Sequence, residues 1–136
     1  MKITKQRKNR LIRIADDAIR QSPIYGADRR IVSESYNGQI AAFSVAVALS
    51  GLKPEIAIYY SGKGSSDVDK KKIIELLADM HSMDKPDDPL DADGLFNRVI
   101  ATTNEAELRA LQKELVEYSI ALKLVIRTFK FRESNG

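Results

Sequence analysis

The chain has 136 residues, of which 43% are apolar and 30% charged, and its formal net charge is +3. This length suits one domain with a single core, and every apolar run is much shorter than the roughly 20 residues of a membrane-spanning helix. The lack of cysteine excludes disulfides, thiolate zinc sites and thiol catalysis. The basic N-terminal segment has no apolar core or cleavage site typical of a secretory signal, so we expect a cytoplasmic protein.

The first predicted element is a basic amphipathic helix within residues 2–22. Its apolar residues, from Leu11 to Ile19, fall on one broad arc at about 3.6 residues per turn. Pro23 ends the helix, because proline disfavours helical geometry in the residue before it. The residues predicted to project opposite the apolar arc are basic: Lys2, Arg10, Arg13 and Arg20.

The second element, a helix and a corner within residues 34–61, is the least charged part of the chain. Residues 40–49 are all apolar except Ser44. We predict a helix that begins between residues 33 and 37 and is enclosed on all sides, because a helix that is apolar all round is normally buried. Gly51 can adopt the positive φ needed after a helix end, and Pro54 suits the first turn of a second helix.

Residues 54–60 followed by SGKGSS also permit a strand, a glycine loop and a helix, as in a nucleotide-binding unit. A short helix is preferred, because no other run of β-branched residues could complete a parallel sheet. The loop also departs from the phosphate-binding motif, which requires a glycine where Ala57 stands and a Ser or Thr directly after Lys63. An enzyme acting on a nucleotide through this loop is therefore the least favoured hypothesis.

A helix is predicted over residues 66–82, with Ser66 and Asp69 at capping-box spacing and an apolar face from Ile73 to Met80. The acidic, proline-containing segment 84–94 follows and is predicted to be a surface loop. A calcium site is disfavoured there, since the first and closing positions of an EF-hand loop would be Pro89 and Ile100.

The C-terminal part, residues 95–131, is predicted to form a short helix capped by Asp93 and then the longest helix of the chain. Thr102 and Glu105 have the spacing of a capping box for this last helix. Its apolar stripe has spacings of three and four residues, which indicates that it lies lengthwise against the core. The stripe comprises Leu108, Leu111, Leu115, Tyr118, Leu122, Val125, Ile126 and Phe129. These helices together predict an all-α, compact single-domain bundle of about six helices.

Catalytic constellations are not recognisable in the sequence. His81 is the only histidine and has no evident serine or acidic partner nearby, so a helix-terminal role is the favoured interpretation. The remaining pattern is positive charge on helix faces. On the last helix the basic residues fall within about 100° of one another, away from the apolar stripe. They are Arg109, Lys113, Lys123, Arg127 and Lys130. This pattern permits contact with a nucleic-acid backbone but also fits an ordinary solvated face.

Two short blocks carry a resemblance to a known family. Residues 36–43 contain Tyr, Asn, Gly, Ile, Ala and Phe in the order YNGQIAAF, and residues 50–60 read SGLKPEIAIYY. With the basic first helix and the long last helix, they resemble the small subunit of type III-B CRISPR effector complexes. The acidic segment 84–94 is a departure from the family pattern.

The resemblance implies a non-catalytic helical subunit of an RNA-guided antiviral complex, without a cofactor or a metal. Its implied partners are guide and target RNA, the other effector subunits and further copies of itself. The family has no short RNA-binding motif, so the RNA-backbone residues are assigned from charge geometry alone. They are Arg13, Arg20, Arg109, Lys123, Arg127 and Lys130. The alternative is a helical protein-interaction module whose basic faces are only solvated.

Overall fold

The computed structural model describes the backbone of residues 4–25, 34–62 and 70–135, and side chains from 36 onward in the second range and up to 129 in the third. These ranges contain six helices and no strand. The helices are α1 (Lys5–Gln21), α2 (Glu34–Ser50), α3 (Leu52–Tyr60), α4 (Lys70–Asp84), α5 (Ala92–Ala101) and α6 (Glu105–Asn135). The prediction of a compact all-α bundle with a long C-terminal helix is confirmed.

The long helix α6 is the spine of the bundle and packs against α1, α2 and α4. Its predicted apolar stripe is buried from Leu115 to Phe129, while Leu108 and Leu111 are partly buried at its beginning. α1 runs in the same direction as α6, because Arg7 lies near Glu117 at one end and Arg20 lies over the ring of Phe129 at the other. Thr4 caps α1 by accepting a hydrogen bond from the Arg7 amide.

The prediction that α2 is enclosed on all sides is wrong. One face, with Ile40, Phe43 and Val47, is buried against the core, but Val45 is 60% and Leu49 83% exposed. Apolar composition shows that a helix can be buried, and it does not show how many neighbours surround it. α6, not α2, is therefore the central element, and α2 leaves an uncharged aliphatic face in solvent.

The corner between α2 and α3 forms as predicted. Gly51 has φ of +91°, in the left-handed region where side-chain-bearing residues are strained, and Pro54 lies in the first turn of α3. Residues 54–60 are helical, so the alternative of a strand at this point is wrong. The corner folds α3 back so that Phe43 and Tyr59 meet edge to face, with their ring centroids 5.3 Å apart. The predicted loop motif at Lys63, the helix start at residues 66–69 and the candidate cap Ser33 lie outside the described residues.

Several predicted helix boundaries shift because other side chains act as caps. α4 extends to Asp84, and α5 begins at Ala92 because Asp91, not Asp93, accepts a hydrogen bond of 2.7 Å from the Gly94 amide. The capping box of Thr102 and Glu105 does not form. The residue that caps α6 is instead Asn104, which accepts a hydrogen bond of 3.0 Å from the Glu107 amide. The acidic loop is therefore shorter than predicted, at residues 85–91.

Candidate nucleic-acid interface

The outward face of α6 carries the basic residues that the sequence placed there. Arg109, Lys113 and Arg127 are exposed and Lys123 is half-buried. From Arg109 to Arg127 the row is about 27 Å long at 1.5 Å per residue. Lys130 belongs to the same predicted row, but its side chain lies outside the described residues. The row therefore presents four described cations on one side of the longest helix.

The cations of this row differ in how much of their charge is balanced inside the protein. Arg109 lies 3.8 Å from Glu105, and both side chains are largely exposed, so water screens this pair strongly. Lys113, Lys123 and Arg127 form no ion pair among the described residues. These three are the cations of α6 with the most unbalanced charge.

Arg13 and Arg20 occupy different surroundings on α1. Arg13 is exposed and forms no described ion pair. Arg20 donates from Nε to Asp16 at 2.8 Å, and its guanidinium lies 5.3 Å from the centre of the Phe129 ring. The hydrogen bond from Arg20 to Asp16 raises the pKa of Arg20. Arg20 is thus largely committed to local contacts, whereas Arg13 is available to a ligand.

Arg10 projects only partly into solvent, because Asp84 and the end of α4 bind its guanidinium. Its Nε donates to Asp84 at 3.1 Å, and its terminal nitrogen donates to the carbonyl groups of Met83 and Asp84. These carbonyls are among the last of α4, where a helix has unsatisfied acceptors and a partial negative charge. Arg10 therefore stabilises the end of α4, and the N-terminal helix presents fewer cations than its sequence indicates.

Asp84 is the centre of a cluster of charged side chains that also includes Arg7 and Arg10. Its side chain is only 3% exposed and also accepts hydrogen bonds from Arg7 at 2.6 Å and from the Tyr118 hydroxyl at 2.7 Å. Burial alone would raise the pKa of Asp84. The hydrogen bonds from Arg7, Tyr118 and Arg10 outweigh burial and lower this pKa from 3.8 to about 2. One carboxylate thus joins α1, α4 and α6.

A second charge cluster surrounds His81, which is buried in α4. Its Nδ1 lies 3.0 Å from Glu114 of α6, and its Nε2 lies 3.1 Å from Asp88 of the acidic loop. Lys85 contacts the other oxygen of Glu114. Arg98 of α5 donates two hydrogen bonds, of 2.5 and 2.9 Å, to the carboxylate of Asp88. The cluster fastens the acidic loop between α4, α5 and α6.

The His81 cluster joins side chains of α4, α5, α6 and the acidic loop, and the sequence did not predict it. A neutral imidazole has only one N–H, whereas the charged form can donate to both Asp88 and Glu114. Hydrogen bonds from Arg98 and then from His81 hold the pKa of Asp88 well below its usual range. A carboxylate thus lies within hydrogen-bond distance of each ring nitrogen of His81, and these contacts hold the acidic loop against α4 and α6.

A spacing of 33 residues separates His81 from Glu114, so no local pattern could pair them. The available signal was weaker: a lone histidine near the end of an apolar helix, followed by a carboxylate-rich loop. Within residues 4–25, 34–62 and 70–135, no group of three or more metal-ligating side chains is arranged to hold a metal ion. The helices of that same part of the chain also include none that is long and apolar enough to cross a membrane.

Comparison of the chain with protein-family models, with curated proteins and with solved structures gives no match in any of the three.

Proposed function

We propose that this protein is a small non-catalytic subunit of an RNA-guided antiviral effector complex, in which the outward face of α6 binds the RNA backbone. The observation that carries the proposal is the row of cations on α6, of which Lys113, Lys123 and Arg127 are not balanced by described carboxylates. The resemblance of residues 36–60 to the small subunit of type III-B CRISPR complexes supplies the class of assembly.

The geometry favours contact with phosphates over reading of bases. A straight row about 27 Å long can follow several phosphates of one strand, and long flexible side chains tolerate variation in their spacing. The described aromatic side chains are mostly engaged within the bundle, as in the stacked pair of Tyr60 and Phe96 with ring centroids 4.2 Å apart. Binding through this face would therefore depend on charge and little on sequence.

The contrast with the paired cations of α1 and α5 supports assigning RNA contact to unpaired cations such as those of α6. Arg7 and Arg10 are held by Asp84, while Arg98 is held by Asp88. Moving such a cation to a phosphate would leave a carboxylate without its partner, and for the buried Asp84 this loss is costly. A cation without a partner inside the protein can bind a phosphate without leaving a carboxylate unpaired.

The test is the affinity for a short fluorescent single-stranded RNA, measured by anisotropy over a range of salt concentrations. The double variant Lys123→Gln with Arg127→Gln should bind more weakly. The slope of log affinity against log salt should fall in magnitude by about 1.4, because each single-strand phosphate contact contributes about 0.7. The matched control, Lys71→Gln with Lys72→Gln, removes the same charge from α4 and should preserve the slope.

Equal losses of RNA affinity in the two double variants would show that net charge, and not the face of α6, determines binding. Salt-independent binding, or failure of the wild-type protein to associate with a guide-loaded effector complex, would refute the proposal. Retained RNA binding without such association would leave RNA contact intact and reject the assignment to this class of complex.

A second candidate function is a protein-interaction module, favoured by the exposed aliphatic side chains. On α2 these are Val45 and Leu49, and on α6 they are Ile120 and Leu124, which are 42% and 50% exposed. Half-exposed aliphatic residues in clusters are typical of surfaces that bind other proteins. Under this function, Lys123→Gln with Arg127→Gln would leave partner binding intact and RNA would not be retained by the wild-type protein.

A further inference from the structure

An apolar groove with unbalanced charge on its rim lies between α1 and α6. A cavity of about 340 Å³ is lined by Leu11, Ile12, Ile120, Ala121 and Leu124, with Lys8 and Glu117 at its edge. A second cavity of about 390 Å³ continues it and shares Ile12 and Leu124 in its lining. The two cavities therefore form one channel, which is aliphatic where they join and more polar in the second cavity, where Asn9, Arg13, Asp16 and Thr128 also line it.

The length of the channel matches a short helical segment. Its lining runs from Lys8 to Asp16 on α1 and from Glu117 to Thr128 on α6. At 1.5 Å per residue these spans are about 12 and 16 Å, or two to three helical turns. Because α1 and α6 run in the same direction, their side chains form two nearly parallel walls, and a third helix can lie between them.

The charges on the rim determine what kind of helix fits. Both acidic groups are already balanced within the protein, since Glu117 lies 3.7 Å from Arg7 and Asp16 accepts a hydrogen bond of 2.8 Å from Arg20. Lys8 and Arg13 on the same rim are exposed and form no ion pair among the described residues. The unbalanced charge of the groove is therefore positive at both of its ends.

We infer that the groove binds an amphipathic helix of a protein partner, whose aliphatic face lies on Ile12, Ile120 and Leu124 and whose flanking acidic residues face Lys8 and Arg13. Such a helix would present aliphatic residues at positions i, i+3, i+4 and i+7, the usual pattern for a helix in a groove. Acidic flanks complement the free cations, and basic flanks would meet uncompensated like charge. This inference rests on the groove and does not depend on RNA binding by α6.

The experiment uses the full chain and two synthetic peptides of 18 residues, a length chosen because helices shorter than about 12–15 residues are marginal in water. Both peptides have the same leucine face, and they differ only in carrying glutamate or lysine on the flanks. Fluorescence anisotropy should show binding of the glutamate peptide and at least about tenfold weaker binding of the lysine peptide.

Three variants locate the binding site. Ile120→Ser with Leu124→Ser should weaken binding of the glutamate peptide at least about tenfold. Both side chains are about half exposed, so their replacement should leave the fold intact, as checked by circular dichroism and thermal unfolding. Lys8→Glu with Arg13→Glu should reverse the preference between the peptides. The matched control, Val45→Ser with Leu49→Ser, changes exposed aliphatic residues of α2 and should have no effect.

Equal binding of the two peptides would overturn the acidic specificity, and binding that is insensitive to Ile120→Ser with Leu124→Ser would overturn the location. Absence of binding to both peptides would also refute the inference. Sedimentation of the wild-type chain provides a further check. A dimer that Ile120→Ser with Leu124→Ser dissociates would show that a second copy, and not an acidic helix of a partner, occupies the groove.

Discussion

Replacement of Asp84 by asparagine should destabilise the protein by about 2 kcal/mol at neutral pH. The variant keeps the size of the side chain and an oxygen that can accept from Tyr118, but it removes the negative charge that faces Arg7 and Arg10. The pKa of Asp84 falls from 3.8 to about 2 on folding, and each unit corresponds to about 1.4 kcal/mol. The loss should stay below the 3–5 kcal/mol typical of a fully buried broken pair, because Arg7 remains 29% exposed to water.

The sign of the pH dependence follows from the direction of this shift. A carboxyl group whose pKa is lower in the folded state stabilises the fold at pH values above its unfolded pKa. That contribution is lost as the pH falls through the folded value. The difference in unfolding free energy between wild type and Asp84→Asn should therefore be complete above about pH 5 and decrease towards pH 2.

Urea unfolding followed by circular dichroism from pH 7 to pH 2.5 provides the measurement, with Asp79→Asn as the control. Asp79 is on the same helix and forms no ion pair among the described residues, and desolvation and the neighbouring Glu75 raise its pKa. Its charged form is therefore disfavoured, so Asp79→Asn should not destabilise the protein at neutral pH, in contrast to Asp84→Asn. A difference for Asp84→Asn that does not vary with pH would refute the electrostatic explanation. Equal effects of the two substitutions would show that Asp84 has no special role.

Two further predictions concern the second charge cluster and the one-sided burial of α2. Glu114→Gln should lower the free energy of unfolding by about 2 kcal/mol, because the charged partner of His81 is lost. In the same urea titration, Glu107→Gln on the exposed part of α6 should be nearly neutral. Phe43→Ala should cost about 3–5 kcal/mol and Leu49→Ala less than about 0.5 kcal/mol, and similar losses at both sites would contradict the exposed face of α2.

The features that depend on local spacing could be predicted from the sequence. The stripe on α6 repeats at three and four residues and therefore predicts both a helix and its buried face. Gly51 and Pro54 similarly predict a corner, because each has a conformational preference that is independent of the rest of the chain. The row of cations on α6 is predictable for the same reason, as helical spacing alone places them together.

The remaining features depend on contacts between distant residues. Arg10 has the sequence context of a solvated helix residue, and only the approach of α4 gives it carbonyl groups to bind. His81 similarly acquires Glu114 from a helix that lies 33 residues away. The exposure of Leu49 reflects which neighbours α2 has, and its own composition does not contain that information. Capping side chains compete within a few residues, which explains the shift from Asp93 to Asp91.

The uncharged exposed face of α2 gives the molecule two surfaces with opposite responses to salt. Added salt would screen a bound anion from Lys123 and Arg127, so an ionic contact at these side chains would weaken as ionic strength rises. Sulfate and similar salts instead strengthen burial of aliphatic groups such as Val45 and Leu49. The type and concentration of salt in the buffer would therefore determine whether the basic face of α6 or the aliphatic face of α2 binds more strongly.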